Sequence, residues 1–154
     1  FGIPSLKVHS KICLIQRQED DKLMRYGFIS TGNFNESTAR IYTDYTLFTA
    51  NQSILKEVNR VFTFLEKSYK VPAHKHLLIS PFTTSSGLKE RIEREIALAK
   101  DGKNALIRIK INNLTNYDMV EALYKASQAG VQIRMIVRGI CCLVPGIKGI
   151  SENI

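Results

Sequence analysis

Residues 105–137 read ALIRIKINNLTNYDMVEALYKASQAGVQIRMIV, and this stretch decides the fold class. Residues 105–111 and 131–137 are apolar runs rich in β-branched side chains, which predicts two strands. Between them, residues 117–129 place Val120, Leu123 and Tyr124 on one helical face, and Gly130 is a C-terminal stop. A strand, a helix and a strand in this order indicate a parallel pair joined by a right-handed crossover.

The segment before this stretch extends the same pattern. Residues 77–80 predict a short strand, and a helix marked by Leu88, Ile92 and Ile96 reaches about residue 100. The second half is therefore expected to form a βαβαβ parallel sheet. Ligands of such sheets gather at the carboxyl ends of the strands, which directs attention to residues 80–87, Asn112-Asn113 and Arg138-Gly139. Arg138 suits a ligand contact or a structural ion pair, and both interpretations stay open.

The first half predicts a mixed sheet and one long helix. Strands are expected over residues 7–15, 24–31 and 43–50, with a charged turn over residues 16–22. A helix capped by Asn51 or Ser53 carries one apolar stripe, formed by Ile54, Leu55, Val58, Val61, Phe62 and Leu65. Residues 69–75 read as a linker and mark the best internal boundary of a chain that is long enough for one compact domain or two smaller halves.

Composition limits the classes of function and location. The 154 residues are 44% hydrophobic, enough for a core, and their formal net charge of +8 favours an anionic partner. Three cysteines form no disulfide or CxxC pattern, which favours a reducing compartment. No apolar run suits a membrane span, and no signal peptide opens the chain, so a cytoplasmic location is expected, with membrane association left open. The chain ends suggest a piece of a longer protein.

The candidate site lies near the start of the chain. His9 and Lys11 are two residues apart in a predicted strand, so both side chains face one way and can converge on one anion. Residues 30–36, STGNFNE, add a turn whose Asn33 and Asn35 carboxamides are neutral donors for phosphate oxygens. Histidine supplies a nitrogen nucleophile and lysine a compact charge, as phosphoryl transfer requires. A purely structural histidine is the alternative.

Three long motifs resemble bacterial polyphosphate kinase over essentially the whole chain: VHSKICLI, STGNFNESTARIYTDYTLFTA and IVRGICCLVPGIKGISENI. The resemblance implies an α/β, phospholipase D-like fold, with residues 1–72 as the later part of one catalytic domain and residues 73–154 as the beginning of a second. It implies that His9 is the phosphorylated histidine, that Tyr42 and Arg138 contact ATP, and that Lys11, Asn33 and Asn35 cradle phosphate. Asp44 is our hypothesis for the residue that orients the imidazole.

The resemblance also implies the reaction and its partners. The implied reaction is reversible transfer of the ATP γ-phosphate to inorganic polyphosphate through a phosphohistidine. Mg²⁺ is expected to accompany ATP, with no metal ligands from this chain. A homo-oligomer is expected, and nucleic acid is not an expected partner. The second active-site histidine of the family has no counterpart here, so we expect half a site that is inactive alone.

Two other classes of function stay open. Phospholipase D-like phosphodiesterases and nucleases also use a histidine nucleophile, although they usually carry an aspartate where this chain has Gln16. A non-catalytic anion-binding module would explain the net charge alone. Against the module, the basic residues look scattered along the sequence rather than grouped in one stripe.

Overall fold

The computed structural model describes residues 3–67 and 73–154. The chain divides into two compact units, Phe1–Leu77 and Leu78–Ile154. Most of the predicted linker, residues 69–72, lies outside the described residues.

The first unit is built on a β-hairpin. Strands β1 (Lys11–Glu19) and β2 (Lys22–Ser30) pair antiparallel from Lys11 opposite Ser30 to Glu19 opposite Lys22. Asp20 and Asp21 form the turn, and Asp20 adopts the left-handed region at φ 50°, which aspartate tolerates better than most residues. The first strand is therefore displaced by four residues from its predicted position, the second begins two residues earlier than predicted, and the expected turn over residues 16–22 is two residues long.

A third strand and two helices follow the hairpin. Helix α1 (Glu36–Ile41) was not predicted, and strand β3 (Thr46–Thr49) pairs antiparallel with β2. All described pairings in this sheet, in the order β1-β2-β3, are antiparallel, so the expectation of a mixed sheet was wrong. For β1 and β2 the physical reason is that a two-residue turn can join only antiparallel strands.

Helix α2 (Gln52–Glu66) confirms the predicted apolar stripe and packs on β1 and β2. The Asn51 side chain caps it by accepting hydrogen bonds from the backbone N–H groups of Ser53 and Ile54. Leu55 and Val58 are fully buried and form the centre of this unit's core.

The second unit contains helix α3 (Thr84–Lys100), strand β4 (Leu106–Ile111), helix α4 (Tyr117–Gln128) and strand β5 (Gln132–Val137). Strands β4 and β5 are parallel, with Leu106 opposite Gln132 and Ile111 opposite Val137, as predicted. The core joins both helices to this strand pair through Ile92, Ile96, Leu123, Ala126, Val131 and Ile133.

The strand predicted over residues 77–80 does not form, so the second unit is βαβ with α3 in front of it. The N–H of Ile79 donates to the hydroxyl of Thr83, and Ser80 already begins a turn. The helix then starts at Thr84, four residues before the predicted apolar stripe begins. Local side-chain hydrogen bonds have replaced a sheet ladder here.

Candidate functional site

His9 and Lys11 meet at the entrance to β1. The Lys11 ammonium lies 3.1 Å from Nδ1 and 3.0 Å from Nε2 of His9, and it donates to the His9 carbonyl at 2.8 Å. Both distances lie within hydrogen-bonding range, and in a neutral imidazole the unprotonated ring nitrogen is the one that can accept from the ammonium. His9 is exposed, whereas Lys11 is 9% exposed. The pair therefore presents an accessible nitrogen beside a fixed positive charge.

The turn after β2 lies beside this pair because Lys11 is the partner of Ser30 in the hairpin register. The Thr31 hydroxyl donates to Oδ1 of Asp44 at 2.9 Å, and the Tyr45 N–H donates back to that hydroxyl at 3.0 Å. A Cβ on Gly32 would lie 2.6 Å from Oδ2 of Asp44, so only glycine lets the two segments approach this closely. Asp44 thus fastens the turn of residues 30–36 to the segment that enters β3.

Asp44 contacts Thr31 rather than the imidazole, since no hydrogen bond joins it to His9 in the ranges that the structure describes. Asn35 is the N-cap of α1, and its carboxamide oxygen accepts from the Thr38 N–H at 3.1 Å. The remaining donor of Asn35 is its carboxamide nitrogen. Asn33 is exposed on the turn, and Tyr42 ends α1 with 41% of its surface exposed.

Arg138 lies in the second unit, at the carboxyl ends of β4 and β5 as the strand rule predicted. Its Nε and Nη2 donate to Oδ1 of Asn112 at 2.9 and 2.7 Å. The Asn113 carboxamide oxygen accepts from the Ile140 N–H at 2.9 Å. A small open depression here is lined by Asn112, Asn113, Arg138 and Gly139. The Asn112 carboxamide oxygen thus accepts two guanidinium N–H groups and orients the Arg138 side chain at the strand ends.

Glu57 is a residue that the sequence analysis missed. It lies on α2 at the edge of the apolar stripe, is 4% exposed, and accepts backbone N–H donors from Lys75 at 2.8 Å, His76 at 3.0 Å and Leu77 at 2.9 Å. Burial by itself raises the pKa of this carboxyl, and the three N–H donors together with His76 outweigh that effect, so its pKa lies below the ordinary value. The sequence did contain a signal for this buried carboxylate. Glu57 lies one helical turn before Val61, at the border of the apolar stripe.

Comparison with known proteins assigns both halves of the chain. Residues 1–71 match the family described as Polyphosphate kinase C-terminal domain 1, and residues 77–154 match Polyphosphate kinase C-terminal domain 2. The chain belongs to the polyphosphate kinase family. The enzyme family expected from the sequence is thereby confirmed.

Whole polyphosphate kinases give the same result. The chain is 52% identical over all its 154 residues to polyphosphate kinase of Vibrio parahaemolyticus and 47% identical to that of Escherichia coli K12. It covers 22% of the length of each relative. The crystal structure of polyphosphate kinase from Porphyromonas gingivalis superimposes with a TM-score of 0.88 at 42% identity, over 99% of this chain and 24% of that one. The expected phospholipase D-like α/β fold is confirmed.

Two further observations bear on polyphosphate kinase chemistry. Gln16 donates through Nε2 to Oδ1 of Asn59 at 3.0 Å, so the position where phosphodiesterases usually carry an aspartate holds a neutral contact between β1 and α2. Among the described residues, no three His, Cys, Asp or Glu side chains cluster as a metal site, and no helix is long and apolar enough to cross a bilayer.

Proposed function

We propose that this chain supplies the nucleophile half of a polyphosphate kinase site, which transfers the ATP γ-phosphate reversibly to inorganic polyphosphate. The observation that carries the proposal is the exposed His9 beside the Lys11 ammonium, which donates to the His9 carbonyl, next to a turn rich in neutral donors. We assign residues 1–72 to the first catalytic domain and residues 73–154 to the second. The intact enzyme is proposed to be a cytoplasmic homo-oligomer.

In the proposed reaction a neutral His9 nitrogen attacks the γ-phosphorus in line. The N–P bond forms while the bond to the bridging oxygen of ADP breaks, and the terminal phosphate of polyphosphate then displaces the histidine. Little covalent machinery is needed, because positioning and charge neutralisation lower most of the barrier. Mg²⁺ accompanying ATP would supply charge neutralisation at its phosphates, and no residue of this chain is assigned to hold it.

The other residues have supporting roles in this proposal. Lys11 and Arg138 neutralise phosphate oxygens, and Asn33 and Asn35 donate to them through their carboxamides. Tyr42 positions the nucleotide. Asp44, which we first expected on the imidazole, is better supported as the residue that holds the Thr31–Gly32 turn in place. Gln16 does not support a phosphodiesterase function. Phosphodiesterases of this class usually carry an aspartate at this position, whereas the Gln16 carboxamide donates to Asn59.

A chimera tests the function. This chain would replace the matching 22% of the Vibrio parahaemolyticus enzyme, to which it is 52% identical, and the product would be incubated with ATP labelled in the γ-phosphate. We expect acid-labile, base-stable label on the protein and growth of polyphosphate. His9→Ala and His9→Asn should abolish both, because no other nitrogen is in place.

His76→Asn in the same chimera is the matched control, and it should retain both signals because His76 takes no part in the proposed reaction. Phosphohistidine that persists in the His9 variants would show that His9 is structural. An active chimera that releases alcohol from phosphodiesters, without needing ATP, would favour the phosphodiesterase class instead.

A further inference from the structure

The strand pair β4–β5 has one covered and one open face. Ile107, Ile109, Met135 and Val137 pack against the core under α3 and α4. The opposite face consists of Leu106, Arg108, Lys110, Gln132, Arg134 and Ile136, all of them exposed. Parallel strands normally have both faces covered, and this face is uncovered among the residues that the structure describes.

The open face is strongly basic. Arg108 and Arg134 are direct partners in the parallel register, about 5 Å apart at the backbone. Lys110 follows Arg108 on the same face, about 7 Å along the strand. The six positions hold three cations and no acidic residue, and neither arginine makes an ion pair or side-chain hydrogen bond within residues 3–67 and 73–154. We call the set Arg108, Lys110 and Arg134 the basic sheet face.

Two cations placed directly opposite one another repel, and this repulsion destabilises the sheet unless an anion lies between them. A polymer with closely spaced charges fits best, since it meets all three cations at once and releases several counterions on binding. The face carries no aromatic side chain, so it offers no stacking platform for nucleic acid bases. The chemistry of the face therefore favours a phosphate chain without bases.

We infer that the basic sheet face is a second binding site for inorganic polyphosphate, separate from the residues proposed to react with it. The inference deepens the proposed function and rests on it for the choice of ligand. By holding a distant stretch of the chain, the face would raise the effective concentration of the polymer near its reacting end. The face would strengthen the binding of polyphosphate and increase the length of the polymer that the enzyme makes. It would not affect the formation of phosphohistidine.

Binding to polyphosphate of one defined chain length tests the inference, with single-stranded DNA of equal charge as comparison. The full chain and the double variant Arg108→Gln, Arg134→Gln would be titrated at several salt concentrations. We expect about tenfold weaker polyphosphate binding, and a log–log salt dependence shallower by about 1 to 2, since each lost phosphate contact removes close to one released ion. DNA should bind more weakly than polyphosphate to the unaltered chain.

Two matched double variants complete the design. Lys56→Gln with Lys148→Gln removes the same net charge from exposed positions off the face, and should change affinity less than about threefold. Arg108→Lys with Arg134→Lys keeps the charge, so it should retain most of the binding and remains informative if the glutamine variant folds poorly. Equal losses in the two glutamine variants, strong loss in the lysine variant, or DNA binding as tight as polyphosphate binding would each overturn the inference.

The chimera separates this inference from the proposed function. With Arg108→Gln and Arg134→Gln it should still form phosphohistidine while making shorter polyphosphate. If His9 proves unreactive but the face still binds polyphosphate, the proposed function fails and the binding face stands.

Discussion

At the scale of single residues, Glu57 shows how a buried charge organises backbone. Its carboxylate accepts three consecutive N–H groups, from Lys75 to Leu77, in a segment that has no sheet partner. Each of these donors would otherwise lie part-buried and unsatisfied, at a cost of about 1 to 3 kcal/mol. The carboxylate therefore fixes the path of the chain just before the second unit begins.

We expect Glu57→Gln to lower the free energy of unfolding by about 2 to 3 kcal/mol, because the amide replaces one acceptor oxygen with a donor that faces other donors. Chemical denaturation at pH 7 measures the change. Glu66→Gln, at an exposed position of the same helix, is the control and should shift stability by less than about 0.5 kcal/mol. A similar loss in both variants would show that Glu57 acts only through helix charge.

The stabilisation by Glu57 depends on pH in a defined direction. Its pKa is lowered in the folded chain relative to the ordinary 4.5. The stabilisation is therefore fully present above that ordinary value and is lost as the pH falls through the lowered pKa. The difference in unfolding free energy between the unaltered chain and Glu57→Gln should shrink over this acidic range, whereas a constant difference would contradict the assignment.

At the scale of elements, the short helix α1 joins the turn that follows β2 to the rest of the first unit. Asn35 is both the cap of this helix and a proposed phosphate donor. The two roles use different atoms: the oxygen caps, and the nitrogen donates. Six-residue helices are marginal in isolation, so the cap and the tertiary contacts matter more than intrinsic propensity.

Asn35→Asp separates the two roles of this residue. Aspartate caps as well as asparagine, so the melting temperature should stay nearly unchanged. The same change replaces the donor nitrogen with a charged oxygen that repels phosphate, and in the chimera phosphohistidine formation should fall at least about tenfold, which corresponds to 1.4 kcal/mol. Asn51→Asp, at the cap of α2, is the matched control and should leave both readouts unchanged. Normal phosphohistidine formation in Asn35→Asp would leave Asn35 with its capping role alone.

At the scale of the whole molecule, the chain spans about 22% of the polyphosphate kinases it matches. The proposed site needs a second histidine that the resemblance assigns to another part of the enzyme. Groups that act as one catalytic set lose several orders of magnitude in rate when a member is missing. Electrostatic binding, by contrast, needs only the charges that are present.

We therefore expect the purified chain to show no ATP-dependent growth of polyphosphate, while it is retained on immobilised polyphosphate at low salt and released as salt rises. Product analysis by gel electrophoresis and a salt-gradient column measure the two properties. The chimera, assayed in parallel, provides the positive control. Polyphosphate synthesis by the isolated chain at a rate near that of the chimera would mean that a full catalytic set lies within these residues.

The amino-acid sequence by itself determined the elements with strong periodicity. Three features follow from the spacing of apolar residues, because only these elements let the chain bury those side chains. They are the apolar stripe of α2, the crossover from β4 through α4 to β5, and the place of Arg138 at the strand ends. The convergence of His9 and Lys11 was likewise predictable, since residues two apart on an extended segment share one side. The long motifs sufficed to identify the family.

Tertiary structure decided the features that depend on partners distant in the sequence. Residues 77–80 look like a strand, yet the N–H groups of Lys75, His76 and Leu77 are taken by Glu57, and Ile79 by Thr83. Asp44 was expected on His9 and lies instead on Thr31. The basic residues of β4 and β5 look scattered along the chain, but the parallel register places Arg108 against Arg134. In each case a hydrogen bond or a strand register between distant residues outweighs a weak local preference, and such pairings become visible only when the chain is folded.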